Sequence, residues 1–357
     1  MAGVKRETTS GSSASIRIRR RLRLFLRQRL DRLKVALDSI RREQLRRRRV
    51  RRGMPEVDSQ YRNTVTIARI IGNDLYPRHA DGASLKNLTF ILENEPDFPG
   101  CRKLFVINRI FDADQERTMV ELVEGHGHTA LVLPFRDEEY AALNCREDLF
   151  DGPAYPPLGA GESEWLNGKV QLRLWACAPK INYAMNVNGA RNAAIEDGRG
   201  HSAWTVLLDG ACFVSPKAWE QLRADLFSEP QSAYVIVPMT RLPSNDLALN
   251  QAPKPNRVEE PHIAFHQKST ETFDERFPYG MRDKTSLLDR LGVPGRWRFW
   301  NSFALYASEP APSPEADHYK FAGASVFRLS SGTQGGRLET PAAQRDRYMS
   351  RNQAIFQ

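Results

Sequence analysis

From Thr64 onward, short apolar, β-branched runs alternate with longer amphipathic ones, and few architectures accommodate that alternation. TVTIARII (64–71) reads as a buried strand, SLKNLTFILENE (84–95) as a helix and KLFVINRI (103–110) as a second strand. DADQERTMVELVEGHG (112–127) reads as a helix with Asp near its start and Gly at its end, and TALVLPF (129–135) as a third strand. Near-continuous apolar strands separated by helices need crossover connections, so the pattern predicts a mostly parallel sheet with helices on both faces. KINYAMNVNGARNAAIEDGRG (180–200) continues as a helix, AWTVLLD (203–209) as a strand and YVIVPM (234–239) as a further central strand. The segment 137–179, rich in Gly, Pro and Trp, reads as a long loop. Residues 243–262 are loop-like, and 263–300 mix short strands with a helix around DKTSLLDRLG.

The N-terminal part obeys different rules. Residues 1–52 hold 19 Lys/Arg against 4 Asp/Glu, and the remaining residues hold 33 against 39. The formal charge of +9 therefore belongs to an arm, and the body is mildly acidic. Leu26, Leu30, Leu33, Leu37 and Ile40 place an apolar stripe on one face of an arginine-rich helix. Such an arm suits an anionic membrane surface or, through the same leucine spacing, a homodimeric coiled coil. It lacks the aromatic interleaving of a nucleic-acid arm and could also be a passive basic extension. The expected division is a basic arm and linker (1–62), a catalytic domain (63–345) and a C-terminal tail (346–357). No run approaches the ~18 apolar residues of a membrane span, and no apolar h-region adjoins the N-terminal basic residues. Cys101, Cys145, Cys177 and Cys212 lie far apart and form no CxxC pair, which argues against a zinc ribbon or a disulfide scaffold and fits a reducing compartment and a cytoplasmic location, peripheral on the membrane face if the arm anchors there.

The chemistry is carried by Asn188-Gly189-Ala190-Arg191-Asn192 on the helix, followed by Ala203-Trp-Thr-Val-Leu-Leu-Asp209-Gly210 on the strand. In open parallel sheets ligands bind beyond the carboxyl ends of the strands, which is where Asp209 falls. This pair of segments resembles the family 2-like glycosyltransferases of GT-A fold, over residues 64 to about 240. The resemblance implies a Rossmann-like sheet, a nucleotide-sugar donor, and a saccharide or lipid-linked acceptor, with surface polysaccharide assembly as the setting. It assigns donor binding to Gly189, Arg191 and Asn192. It assigns to Asp209 the holding of a divalent cation, Mn or Mg, that bridges the phosphates. Asn73 and Asp74 after the first strand, and Asn108 and Asp112 after the second, stand where that fold holds the nucleoside; turn chemistry is the competing reading.

The sequence departs from the family at position 211, where the second aspartate of an Asp-x-Asp motif is replaced by Ala211. Metal use is thereby left open, with His318 as a candidate additional ligand or a plain loop histidine. Neutralisation of the phosphates by Arg or Lys is the metal-independent alternative. An inverting transfer needs a general base, for which Glu260, Asp274 and Asp283 are candidates. The WRFW stretch (297–300) could stack on a sugar or fill core. Two other classes compete. A nucleotidyltransferase would be expected to carry more glycines near the first strand than IIGND does, and a non-catalytic saccharide-binding or tethering member of the same fold would fit Ala211.

Overall fold

The computed structural model describes residues 54–75, 79–145, 176–228, 232–250, 259–277, 279, 283–295 and 311–330. The chain divides into two units, Met1–Arg51 and Arg52–Gln357, and the arm, the WRFW stretch and the C-terminal tail fall outside the described residues. Among the described residues no helix is long and apolar enough to cross a membrane.

The body is an α/β fold built on a mostly parallel, Rossmann-like central sheet. Strands β1 (Val65–Ile71), β2 (Cys101–Asn108) and β3 (Thr129–Leu133) alternate with α1 (Ala83–Asn94) and α2 (Ala113–Gly125). The next elements are α3 (Asp137–Ala141), α4 (Ala178–Met185), α5 (Val187–Arg199), β4 (Trp204–Asp209), β5 (Cys212–Phe213), α6 (Pro216–Ser228), β6 (Tyr234–Val237) and β7 (Met239–Arg241). They are followed by α7 (Leu247–Asn250), β8 (His262–His266), α8 (Asp283–Arg290), β9 (Tyr319–Phe321) and β10 (Val326–Arg328). The main sheet has the order β3-β2-β1-β4-β8-β6-β9, and a small second sheet runs β5-β10-β7. β1 pairs in parallel with both β2 and β4, so the strand order reverses at the β1/β4 junction.

The first half follows the sequence pattern closely. Apolar side chains on both faces of β1, β2 and β4 leave no solvated face, so each strand requires cover on both sides. Leu88, Ile91 and Leu92 of α1 and Met119 and Val123 of α2 cover one face, against Phe105 and Ile107. On the other, Ala190, Ala194 and Ile195 of α5 pack with Leu287 and Leu288 of α8 against Ala68, Leu104, Val106 and Leu207. The fit of α5 on β4 is close: a Cβ on Gly198 would collide with the Thr205 hydroxyl.

Three features differ from expectation. β8 enters the centre of the sheet antiparallel to both β4 and β6, because HIAFH arrives from a long excursion rather than through a crossover helix. The helix expected over 180–200 is two helices, broken at Asn186, which adopts φ 40°; Asn tolerates that left-handed conformation better than most residues. Cys145 and Cys177 are disulfide-bonded with Cα atoms 4.4 Å apart, whereas Cys101 and Cys212 are free. Spacing without a CxxC pair could not show this pairing, because the 32-residue separation is closed only by tertiary structure. The bond removes the ground for inferring a reducing compartment, since disulfides persist in oxidising ones.

Beneath the sheet's carboxyl end lies a buried ion pair. Arg69 of β1 and Glu95, just after α1, both have side chains closed to solvent and meet at 2.5 Å. Glu95 also accepts from the Val214 amide at 2.8 Å, and Arg69 Nε donates to the Cys212 carbonyl at 2.9 Å. Lys103 of β2 donates to the Glu95 carbonyl at 2.8 Å. Breaking a buried pair by removing one partner strands the other charge, so Arg69→Met should cost about 3–5 kcal/mol in urea unfolding, with much of that loss recovered in Arg69→Met/Glu95→Leu. A thiol titration of denatured, unreduced protein should find two reactive cysteines, and four after reduction, if the Cys145–Cys177 bond forms in solution.

Candidate active site

The reversal of strand order at β1/β4 opens a crevice beyond their carboxyl ends, and the candidate site is built around it. Register pairs Ile70 with Asp209. Side chains alternate along a strand, so Asp209 projects to the face that Leu207 uses, toward α5 and α8. The turn after it is tight: a Cβ on Gly210 would sit 2.5 Å from the Ile70 carbonyl oxygen. Only glycine lets β4 close on β1 at that point.

Asp209 is ringed by cations. Arg328 Nη1 donates to it at 2.7 Å, Arg191 Nη2 lies 3.6 Å away and Lys284 Nζ 3.9 Å away. Lys284 also meets Glu260 at 3.3 Å. The side chains of Lys284 and Arg191 are 5% and 7% exposed, whereas those of Arg328 and Asp209 are 20% and 31% exposed, so the ring opens to solvent on one side. Burial alone would raise the Asp209 carboxyl; Lys284, Arg328 and Arg191 outweigh it and hold the group well below the usual carboxylate range. Behind Asp209 the fully buried pair Cys212 and His262 touches at 3.2 Å. Burial keeps the imidazole neutral, reinforced by Lys284, and pushes the thiol up to about 11, so this pair is no activated nucleophile.

Next to the ring is a cleft of about 260 Å³, lined among others by Arg109, Tyr183, Asn186, Asn188, Gly189, Glu275 and Tyr279. The first turn of α5 forms one wall, presenting backbone N–H groups at the positive end of the helix dipole. The Arg109 guanidinium lies 3.7 Å from the Tyr183 ring centroid and donates to the Tyr183 carbonyl. Arg109 adopts φ 47°, so it and Asn186 place two left-handed non-glycine residues on the cleft wall. Phe111, Phe135, Tyr140 and Tyr183 form an aromatic group beside it, with Phe111 53% exposed. Arg191 links cleft to ring: its Nη1 donates to Asn188 Oδ1 at 3.0 Å while Nη2 faces Asp209.

The sequence candidates separate by what holds them. Asn73 clamps the loop after β2, donating to the Arg109 carbonyl at 2.7 Å and accepting from the Phe111 amide at 2.9 Å. Asp74 accepts from the Ser84 amide and hydroxyl at the start of α1, and Asp112 caps α2 through the amides of Asp114 and Gln115. Asn108 donates to the Met185 carbonyl and accepts from Asn186 Nδ2, pinning the break between α4 and α5. Asn192 is consumed by the segment facing α5, bonding Phe273 N and O and Glu275 Oε1. Asp274 is held by Arg276, whose hydrogen bond keeps its carboxyl low, and its backbone carbonyl accepts from Asn188. Glu260 stands in the crevice, because β8 begins at the carboxyl end of antiparallel β4. The side chain of Asp283 lies outside the described residues.

His318 does not join Asp209. Its carbonyl accepts from Ala233 and Tyr234 at the start of β6, and register places that start beside Phe265 and Thr205, at the opposite end of the sheet. Among the described residues no group of three His, Cys, Asp or Glu could hold a metal ion. A divalent ion on Asp209 would share its one carboxylate with three cations, and two unit charges of like sign ~4 Å apart repel by about 4 kcal/mol near a protein surface. The donor set that the described residues offer at Asp209 therefore does not fit a divalent cation. Sequence reasoning missed Arg328 and Lys284. Lys284 closes the charged segment that contains Asp283, whereas Arg328 reaches Asp209 only through the pairing of β10 with β5.

No family model matches the chain, and no curated protein matches it. Solved structures do. Crystal structures of S. aureus TarS include one of residues 1–349, matched over 61% of this chain and 52% of that one at 12% identity and TM-score 0.33. A second TarS structure is matched over 75% and 36% at 12% identity and TM-score 0.31. The 4-diphosphocytidyl-2C-methyl-D-erythritol synthase from Anaerococcus prevotii is matched over 80% and 95% at 10% identity and TM-score 0.33. The chain thus spans about half, or about a third, of the TarS structures.

The pH dependence of stability has a definite sign. Burial, then Lys268, pushes His266 from 6.5 down to about 4, and burial pushes His262 down as well. Between those values the unfolded chain binds protons that the folded one does not, so stability is fully present above about pH 6.5 and falls as pH is lowered. The urea midpoint should drop from pH 7 to pH 5, and His266→Asn should flatten that slope; a midpoint independent of pH would contradict neutral burial.

Proposed function

We propose that this chain is a glycosyltransferase that takes a sugar from a nucleotide-sugar donor. The observation that carries the reading is Arg191, which joins the cleft at the first turn of α5 to the charged ring around Asp209. A helix N-terminus and an arginine at a strand-order reversal together suit a phosphorylated ligand. The exposed aromatic group beside Arg109 offers a face for a base or sugar ring.

In such a transfer the bond between the anomeric carbon and the diphosphate oxygen breaks, and its electron pair leaves on the phosphate. The acceptor hydroxyl forms the new carbon–oxygen bond and gives its proton to a carboxylate. Glu260 is the candidate base best placed for that step, at the crevice with Lys284 3.3 Å away. On this reading the group transferred is a hexosyl or N-acetylhexosaminyl unit, the acceptor is a saccharide or a lipid-linked one, and the setting is surface polysaccharide assembly. The basic residues 16–52 would bring the enzyme to an anionic membrane.

Arg191→Ala should weaken UDP or GDP binding by about 1.5–3 kcal/mol, the loss of a charge-assisted contact, in isothermal titration. Unchanged affinity in a folded variant would remove Arg191 from the donor site.

A further inference from the structure

We propose that the diphosphate of the donor is held by Arg191, Lys284 and Arg328, with Asp209 as the fixed counter-ion that spaces them and with no divalent ion between protein and phosphate. This rests on the donor-site reading above and names the chemistry by which that site takes its ligand.

Three observations carry it. The cations come from three separate elements, α5, α8 and β10, yet all converge on one carboxylate within 3.9 Å. Two of them are almost fully closed from solvent, so their charges are screened little and their positions are set by packing rather than by side-chain freedom. The ring is open to solvent at Arg328 and Asp209, and Arg191 ties it to the cleft wall by donating to Asn188. Among the described residues Glu260, on Lys284, is a further charged group at the ring, and His262 behind it is neutral.

In a metal-bridged site the aspartate is the attachment point, and losing it loses the phosphates. In a cation-built site the aspartate competes with the phosphates for the same donors. The two arrangements therefore predict opposite effects of one substitution.

The test is isothermal titration of full-length protein with UDP, GDP and inorganic pyrophosphate, in excess EDTA and in excess manganese. We expect wild-type affinity to agree between the two conditions within about twofold, and Asp209→Asn to bind as tightly or more tightly. Lys284→Met and Arg328→Gln should each weaken binding by about tenfold or more, and Arg328→Lys should recover part of the loss. The EDTA comparison on wild-type protein stands even where a variant fails to fold. Binding that appears only with manganese, or that Asp209→Asn abolishes in a folded protein, overturns the metal-free site while leaving the donor reading in place. If none of the three probes binds in either condition, the donor reading itself falls and this inference with it.

Discussion

The Arg69–Glu95 pair is the constraint on which the rest of the carboxyl end of the sheet depends. Burying two charges is expensive, and the hydrogen bonds and ion pairs around them return part of that cost. Here the partners lie on four segments. Arg69 belongs to β1, Glu95 follows α1, Lys103 belongs to β2, and the Cys212 carbonyl and Val214 amide lie on and just after β5. Satisfying the pair thus fixes where the chain goes after Asp209. β5 then pairs with β10, in a register that sets Arg328 against Cys212 and aims it at Asp209. A buried structural contact on one side of the turn determines an electrostatic one on the other.

Along α5 the polar residues divide their labour by helical spacing. Asn188 and Asn192, four apart, lie on one side and hold the 273–275 segment to the helix. Arg191 lies between them in register and turns toward Asp209 instead. The Asn-x-x-Arg-Asn string is therefore two clamps and one reaching cation. The same distinction runs through the loops: Asn73, Asp74 and Asp112 hold backbone amides or carbonyls, so the turn-chemistry reading accounts for their present contacts, while Arg109 and Tyr183 take the cleft wall.

Chemically, the site is a carboxylate with more cationic than anionic neighbours, linked through Arg191 to a cleft walled by a helix N-terminus. Ala211, two residues past Asp209, brings no charge to the turn and packs against the apolar cluster of α1 and α2. The position that left metal use open in the sequence stands in the structure beside a ring of arginine and lysine.

What the sequence by itself determined is the first half of the sheet and the position of Asp209. Both follow from local periodicity: doubly apolar strands must be covered on both faces, and a carboxylate that ends such a strand must emerge at its carboxyl edge. Asn186 was legible only as a helical residue, because a one-residue break leaves the apolar spacing on either side nearly intact. The antiparallel entry of β8, the Cys145–Cys177 bond, the convergence of Lys284 and Arg328 on Asp209 and the separation of His318 from it were decided by tertiary structure alone. Each depends on residues separated by tens to more than a hundred positions. No local pattern encodes such a contact, because it exists only once strand order and register bring the segments to the same end of the sheet.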